Sequence, residues 1–385
     1  MSLNNPTNRR FIRGHFLKAL LAASLTVFVF STSAIAKPDQ PSQARPYWPT
    51  KGWKTGKPES HGLDPDKLKR AIDHIENNTA AWSILIIKDG FLVAEKYFRS
   101  GRVDKVSGIN SATKSVTSTV FGIAVDKGLI SIDQTLQSVF PEYITDESND
   151  ILKELTFKHA LAMTWGFKWK ERNHYFEENS DFWRWYKASD WVGHALARKH
   201  VFSPGSTWIY DSSASHLLSA AITKVAEEDT ADFAQKHLFT PIGIPETGIS
   251  GRVSWRTTRK YTPGGFGISL TAREMAKFGY LMLNDGYWDG KQIVSKQWVQ
   301  EATSAHSPRD FGGGYGYQWW TVDDTSDYFA AGFGGQYIFI IPEHDLLFVT
   351  TAQNSIQAIA GGSDCLKPND IYDIYRLIIN SVDNE

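Results

Sequence analysis

Residues 82–98 read WSILIIKDGFLVAEKYF, and this stretch decides the class of fold. Its two halves, 82–87 and 91–98, are rich in apolar, β-branched and aromatic side chains, and Asp89 and Gly90 between them favour the tight turn of a hairpin. Further strands are predicted toward the other end of the chain, over residues 315–322, 328–331, 336–341 and 346–351. The sequence therefore predicts an antiparallel sheet assembled from both ends of the chain.

Helices are predicted around this sheet and between its two halves. Residues 64–77 carry an apolar stripe at helical spacing, and residues 116–125 form an apolar helix that Gly128 ends. A last helix is expected over residues 369–382, and a helical subdomain over about 131–235. The predicted fold class is α+β, with an antiparallel sheet flanked by helices and a large, mostly helical insertion.

The N-terminal residues 1–36 have the order of a secretory signal peptide. Basic residues precede an apolar run over 19–30, and small residues over 31–36 end in the cleavable sequence Ala-Ile-Ala. The alternative is a membrane anchor, but the run is shorter than the ~20 residues of a comfortable span. We therefore expect export to the periplasm, a flexible lead-in over residues 37–46, one domain over 47–385, and no stable membrane anchor after cleavage.

Charge and composition narrow the class of ligand. The formal net charge of −1 gives no overall basic field, so we expect neither nucleic acid nor an anionic membrane as a partner. Cys365 is the only cysteine, which excludes an intramolecular disulfide, and no cysteine or histidine cluster has zinc spacing. We expect a small, roughly neutral ligand and no metal or other cofactor.

The stretch Ser111-Ala112-Thr113-Lys114 is the only S-x-x-K in the sequence. Positions i and i+3 share one face of a helix, so the hydroxyl and the amine come within reach of each other. A serine at a helix N-terminus also lies among free N–H groups that stabilise an oxyanion. The pattern predicts a serine nucleophile with a buried lysine as its proton partner. The alternative is a serine that caps the helix, with a solvated lysine.

Tyr210 follows the Pro204-Gly205 turn and comes just before a predicted helix. On such a constrained loop, a phenol can relay a proton between a nucleophile, a lysine and a leaving group. The alternative is an ordinary half-buried tyrosine whose hydroxyl is satisfied locally.

A glycine-rich stretch, residues 332–336, leads into an apolar strand. Glycines at a strand edge leave N–H groups unshielded, so an N–H near Gly335 or Gln336 could complete the oxyanion hole that begins at Ser111. The alternative is a glycine-rich hairpin turn.

Together these motifs resemble the serine β-lactamase and penicillin-recognising superfamily. The branch that the chain looks most like holds class C β-lactamases, related esterases and 6-aminohexanoate-dimer hydrolases. The similarity runs from about residue 47 to the C-terminus and includes residues 155–164, 264–272, 284–290 and 329–342.

The resemblance implies a role for each motif residue. Ser111 would be the acylated nucleophile, Lys114 its base or proton partner, and Tyr210 the second acid or base. The N–H groups of Ser111 and Gln336 would hold the oxyanion. The family resemblance leaves open whether Lys114 or Tyr210 is the general base.

Two departures from the family pattern bear on the substrate. Ser212 stands where many β-lactamases and peptidases have asparagine, and residues 329–332 replace the expected K-T-G or H-T-G. The missing cation usually faces a substrate carboxylate, so the variant strand with Gly334 and Gly335 looks more like the esterase and dimer-hydrolase branch. We expect a small linear ester or amide as substrate, contacted by Ser212, Gly334 and Gly335.

Two other functions stay open at this stage. A β-lactamase or D-alanyl-D-alanine peptidase would need a substitute for the missing cation, for which Arg252, Arg256 and Arg259 are candidates. The other is a non-catalytic ligand-binding receptor of the same fold, and the presence of Ser111, Lys114 and Tyr210 together argues against it.

Aromatic residues crowd between positions 165 and 191, in a stretch of poor periodicity. Long irregular segments of compact domains are often binding loops. We hypothesise that Trp183 walls the substrate pocket near Ser111. The alternative, that these rings only pack a loop-rich subdomain, is equally open.

Overall fold

The structure is a computed structural model that describes residues 45–143, 151–171, 177–245, 255, 260–308, 313–355, 358–359 and 362–383. The expected signal peptide lies outside these residues, as do Arg252, Arg256 and Arg259.

The strands pair in an antiparallel manner throughout the described residues. They are β1 (Ser83–Lys88), β2 (Phe91–Tyr97), β3 (Ser107–Gly108), β4 (Ser269–Leu270), β5 (Tyr287–Trp288), β6 (Lys291–Gln292), β7 (Ser307–Pro308), β8 (Gly314–Tyr315), β9 (Trp320–Thr321), β10 (Tyr328–Gly332), β11 (Gln336–Ile341) and β12 (Leu346–Thr351). The main sheet has eight strands in the order β2-β1-β12-β11-β10-β9-β8-β7. Because β1 pairs with β12, the sheet joins both ends of the chain, as the sequence predicted.

One strand prediction is wrong. Residues 315–322 form two short strands, β8 and β9, with a turn between them in which Gln318 has a φ of 65°. The buried Gln318 side-chain amide donates to the Leu161 carbonyl at 2.8 Å, and the Gln318 backbone carbonyl accepts from Ser115 Oγ at 2.8 Å. These contacts with distant segments fix a turn inside a run whose aromatic and β-branched composition alone favours one strand.

The helices surround this sheet and fill the insertion. The described α-helices include α1 (Pro65–Asn78), α2 (Thr113–Asp126), α3 (Leu136–Val139), α4 (Phe157–Leu161), α5 (Asp181–Lys187), α6 (Trp191–Leu196), α7 (Ser212–Ala226), α8 (Thr230–Ala234), α9 (Ala272–Leu283), α10 (Lys296–Thr303) and α11 (Pro368–Ile379). Among the described residues, we find no helix with the length and apolar character needed to span a membrane.

The two faces of the sheet pack against different helices. Alternate residues of a strand point to opposite faces, so Ile86 and Phe348 join α1 and α11 in one core. Leu85 and Val349 join α2 and α9 in the other core. Residues 113–124 of α2 are all buried, as expected for a helix enclosed on every side. The sheet and the insertion therefore meet along α2, whose N-terminal end carries the S-x-x-K motif.

Candidate active site

A strained turn sets the start of α2. Asn110 has a left-handed backbone with a φ of 49°, a conformation that asparagine tolerates better than most residues. Its Nδ2 donates to the carbonyls of Phe333 at 2.7 Å and Asn354 at 3.1 Å. Asn110 therefore ties the turn that carries Ser111 to the glycine-rich turn between β10 and β11. No local sequence signal had marked this residue.

Lys114 lies beneath Ser111 and is buried, with 2% of its surface exposed. Its Nζ donates to Ser111 Oγ at 3.3 Å, to Ser212 Oγ at 2.8 Å and to the Gly265 carbonyl at 3.0 Å. Three acceptors match the three N–H donors of an ammonium group. The lysine is therefore held by the fold, unlike the solvated lysine of the alternative interpretation.

Glycines let residues 264–265 approach α2 closely. A Cβ on Gly264 would lie 2.0 Å from the Ser215 carbonyl oxygen. Any residue other than glycine would therefore clash with the backbone here. Thr117, one helical turn below Lys114, donates to the Gly264 carbonyl at 2.7 Å. This contact places the Gly265 carbonyl against the lysine.

Asp211 anchors the loop that leads into α7. It is fully buried and caps the helix by accepting from the Ser213 N–H at 2.8 Å. Arg198 pairs with its other oxygen at 2.9 Å, and Trp165 Nε1 donates to that oxygen at 3.1 Å. These contacts fix the positions of the residues on either side of Asp211, which are Tyr210 and Ser212.

Tyr210 lies beside the lysine and at the edge of the cavity. Lys114 Nζ is 4.8 Å from the centroid of its ring. The tyrosine ring also stacks on Trp320, with centroids 5.7 Å apart and planes 24° apart. Ser111 and Tyr210 both line the same cavity, so the structure brings the three predicted catalytic side chains together.

Glu171 is a buried carboxylate that the sequence did not single out. It accepts from Ser212 Oγ at 2.5 Å, from the Ser212 N–H at 2.7 Å and from Trp169 Nε1 at 2.6 Å. Burial raises the pKa of the Glu171 carboxyl above its usual range, while the nearby Lys114 charge and these donors act in the opposite direction. Ser212 thus connects Lys114 to an acid.

The cavity in front of Ser111 has a volume of about 460 Å³. Its wall is largely aromatic and includes Trp320, Phe329, Phe333, Tyr337 and Tyr372. Among the described residues that line it, the only charged side chain is Lys367, at the start of α11. This composition suits a ligand with an apolar body.

A larger cavity, of about 790 Å³, lies between α10 and the β7–β9 end of the sheet. Its lining includes none of Ser111, Lys114 and Tyr210, so volume alone does not locate the chemistry.

Comparison with known proteins identifies the family. Residues 68–356 match the family described as Beta-lactamase. The chain belongs to the β-lactamase family. It is a serine hydrolase, and the match confirms the resemblance drawn from its motifs.

Individual relatives of this family are distant in sequence. The 6-aminohexanoate-dimer hydrolase of Paenarthrobacter ureafaciens is 23% identical over 306 residues, which cover 74% of this chain and 76% of the relative. The octameric penicillin-binding protein homologue from Pyrococcus abyssi has a TM-score of 0.61 at 19% identity, covering 82% of this chain and 76% of that chain. A family VIII carboxylesterase has a TM-score of 0.62 at 16% identity, covering 82% and 97%. These structures confirm the predicted α+β fold.

The glycine-rich turn only partly lines the cavity of this family member. Gly332 and Gly334 line it, whereas Gly335 and Gln336 do not. A Cβ on Gly332 would lie 2.1 Å from the Ile109 carbonyl oxygen, so glycine is needed where the end of β10 meets the turn that carries Ser111. The buried Gln336 side chain donates to the Ala352 carbonyl at 3.0 Å. An oxyanion contact from the Gln336 N–H stays a prediction.

Trp183 lies on α5 and is half-buried. Its ring stacks on Tyr186, with centroids 6.2 Å apart, and Lys187 Nζ lies 4.6 Å from its centroid. It is not among the residues that line the cavity, so its contact with substrate stays a prediction.

The described residues contain no group of three or more His, Cys, Asp or Glu side chains arranged to hold a metal ion. The groups around Ser111 are a lysine, a phenol, hydroxyls and one carboxylate, which suit acid–base and nucleophilic chemistry.

Proposed function

We propose that this chain is an exported serine hydrolase that cleaves small linear esters or amides through an acyl-enzyme on Ser111. The observation that carries the proposal is the position of Ser111 Oγ, which is 3.3 Å from the buried Lys114 Nζ and faces the same cavity as Tyr210. A serine hydroxyl is a weak nucleophile, and a neighbouring proton acceptor and cation activate it.

The proposed reaction has two stages. Ser111 Oγ attacks the substrate carbonyl carbon and loses its proton to the pair formed by Lys114 and Tyr210. That proton then goes to the departing alcohol or amine, and an ester bond to Ser111 remains. Water attacks this ester, the acid is released and the Ser111 hydroxyl re-forms. The Ser111 and Gln336 N–H groups would hold the oxyanion in both stages.

The aromatic cavity supports an apolar acyl or leaving group. Rings such as Trp320 and Phe329 bind hydrocarbon and planar groups through burial of apolar surface. The relative from Paenarthrobacter ureafaciens acts, by its name, on an aminohexanoate dimer, and a structural neighbour is a carboxylesterase. Both names are consistent with small linear acyl compounds.

The order of residues 1–36 supports export. In a bacterial host, mass spectrometry of the protein recovered from the periplasm is expected to give an N-terminus at Lys37. Recovery of the full-length chain from the cytosol alone would contradict export.

A second candidate is a β-lactamase or a D-alanyl-D-alanine peptidase. Lys367 favours it, because this cation lines the cavity and could face the substrate carboxylate that the missing K-T-G lysine usually binds. Stable acylation or turnover of a penicillin would support it.

The decisive test is hydrolysis of p-nitrophenyl acyl esters by the chain that begins at Lys37 and by its Ser111→Ala variant. We expect the variant to lose roughly 10⁴-fold or more in kcat. The matched control is Ser118→Ala, because Ser118 is a buried serine on the same helix whose hydroxyl has no hydrogen-bond partner among the described residues. Its activity is expected to stay near that of the wild type.

The same proteins are then given linear amides, aminohexanoate oligomers and a chromogenic cephalosporin. Faster turnover of linear esters or amides supports the primary proposal, and faster turnover of the cephalosporin supports the second candidate. If wild type and Ser111→Ala are equally active or equally inert toward all of them, the nucleophile assignment is wrong and a ligand-binding receptor becomes the better interpretation.

A further inference from the structure

A continuous chain of hydrogen bonds runs from the catalytic lysine to a buried acid. Lys114 Nζ is 2.8 Å from Ser212 Oγ, and Ser212 Oγ is 2.5 Å from Glu171 Oε1. Lys114 and Glu171 are each 2% exposed, and Ser212 is 1% exposed. Water therefore does not screen the two ends of the chain from each other.

The chemistry of the three groups fixes the direction of these hydrogen bonds. An ammonium group only donates and a carboxylate only accepts, so the single Ser212 hydroxyl hydrogen must point to Glu171. The Ser212 oxygen then offers a lone pair to Lys114. With Ser111 Oγ and the Gly265 carbonyl as the other two acceptors, all three ammonium hydrogens are used.

We infer that Glu171 is a positioning residue that keeps Lys114 in its charged form, through Ser212, when Ser111 reacts. An ammonium group has no lone pair, so Lys114 in this form does not accept the Ser111 proton, which passes to Tyr210 at the edge of the same cavity. In this state Lys114 acts through its positive charge, which stabilises negative charge on Ser111 Oγ and on the neighbouring Tyr210. The inference rests on the proposed function and adds to it a residue that lies outside the S-x-x-K, tyrosine and glycine-rich motifs of this sequence.

Among the residues that the structure describes, Lys114 is the one cation whose charge acts on Glu171. Its Oε2 accepts from the Ser212 N–H and from Trp169 Nε1, which are neutral donors. Arg198 lies 4.4 Å from the centroid of the Trp169 ring, but it is paired with Asp211 at 2.9 Å. Glu171 and Lys114 therefore balance each other.

The charge balance between Glu171 and Lys114 is expected to make activity depend on pH. Burial raises the pKa of Glu171, so the carboxylate gains a proton at a higher pH than an ordinary glutamate does. Once protonated, Glu171 no longer compensates the lysine charge. Activity is therefore expected to fall on the acid side of the pH profile as Glu171 is protonated.

The test is the pH dependence of Ser111 labelling by a fluorophosphonate, in which Ser111 Oγ forms a bond to phosphorus and fluoride leaves. This probe needs no knowledge of the natural substrate. Glu171→Gln has nearly the same shape but cannot ionise. We expect its labelling rate to be about 10²-fold lower at neutral pH, with the acid limb of the profile absent.

The control variant is Glu274→Gln, because Glu274 is another buried acid and forms a capping box with Thr271 that glutamine also supports. Its profile is expected to match that of the wild type. Ser212→Ala interrupts the same chain while keeping the Ser212 N–H, so it is expected to lose the acid limb as well. The double variant should be no slower than the slower single variant.

Three outcomes separate the claims. If Glu171→Gln and Ser212→Ala both react more slowly but keep the wild-type limbs, Glu171 has only a structural role and the inference is wrong. If Glu171→Gln does not fold, Ser212→Ala decides by the same criterion. If the folded wild type is not labelled and hydrolyses no ester, the proposed function itself fails.

Discussion

Ser111 has a polar side and an aromatic side, and the two are built differently. On the polar side, Lys114 and Glu171 are buried, and each polar atom of their side chains forms at least one hydrogen bond. On the aromatic side, Trp320 stacks on Phe329 with centroids 6.3 Å apart, and both line an open cavity. Hydrogen bonds fix positions closely, whereas apolar contact tolerates different shapes. We therefore expect the polar side to determine the reaction and the aromatic side to determine which acyl groups fit.

Removal of the lysine charge is the strongest test of the polar side. Lys114→Met keeps the length of the side chain but leaves Ser111 without its cation and Glu171 without its counter charge. We expect kcat/KM for a p-nitrophenyl ester to fall by about 10³-fold. Urea unfolding should show a loss of about 3 kcal/mol, because one partner of a buried pair remains.

The matched control is Lys277→Met. Lys277 is also buried, and its Nζ donates to the carbonyls of Thr50 at 3.0 Å and Gly243 at 2.6 Å. We expect it to lose stability, by about 1–3 kcal/mol, and to keep its activity. A similar loss of activity in both variants would mean that the loss of any buried lysine lowers activity, and that Lys114 has no specific role in the reaction.

Substitutions of Asn110, in the turn that carries Ser111, are expected to have the next largest effect on activity. Both Asn110→Ala and Asn110→Gly lose the two side-chain hydrogen bonds of Asn110. Alanine is also strained by the left-handed backbone at this position, whereas glycine adopts that conformation without strain. We expect kcat to fall by about 10²-fold for alanine and about tenfold for glycine, since misplacement of the nucleophile slows the reaction. Equal rates for the two variants would show that the backbone conformation of Asn110 has no part in placing Ser111.

The aromatic side is expected to give the smallest change, and one of a different kind. Trp320→Ala should alter the ratio of kcat/KM between long and short acyl esters by about tenfold while the best substrate still turns over well. Trp183→Ala, measured beside it, tests whether α5 also contacts the substrate. If only Trp183→Ala changes the ratio of kcat/KM between long and short esters, the acyl group binds against α5 and not against the sheet.

The local sequence was sufficient to predict helices and hairpins whose ends carry a clear capping or turn signal. The helix predicted over residues 64–77 is Pro65–Asn78, because Asp64 caps it by accepting from two N–H groups. The hairpin at Asp89 and Gly90 formed as predicted, because both residues have the positive φ of such a turn. The prediction of a single strand over residues 315–322 was wrong, because the turn at Gln318 depends on contacts with segments far away in the chain.

The candidate site divides in the same way. The sequence alone determined the proximity of Ser111 and Lys114, because two residues three positions apart share one helix face, which is a local relation. Only the tertiary structure decided that Asn110 meets Phe333, 223 positions away, and that Lys114 meets Ser212, 98 positions away. It also decided that Glu171, a glutamate outside every motif, lies behind Ser212. Contacts of this kind depend on how distant segments pack, and the residues that make them carry no local pattern that reveals their partners.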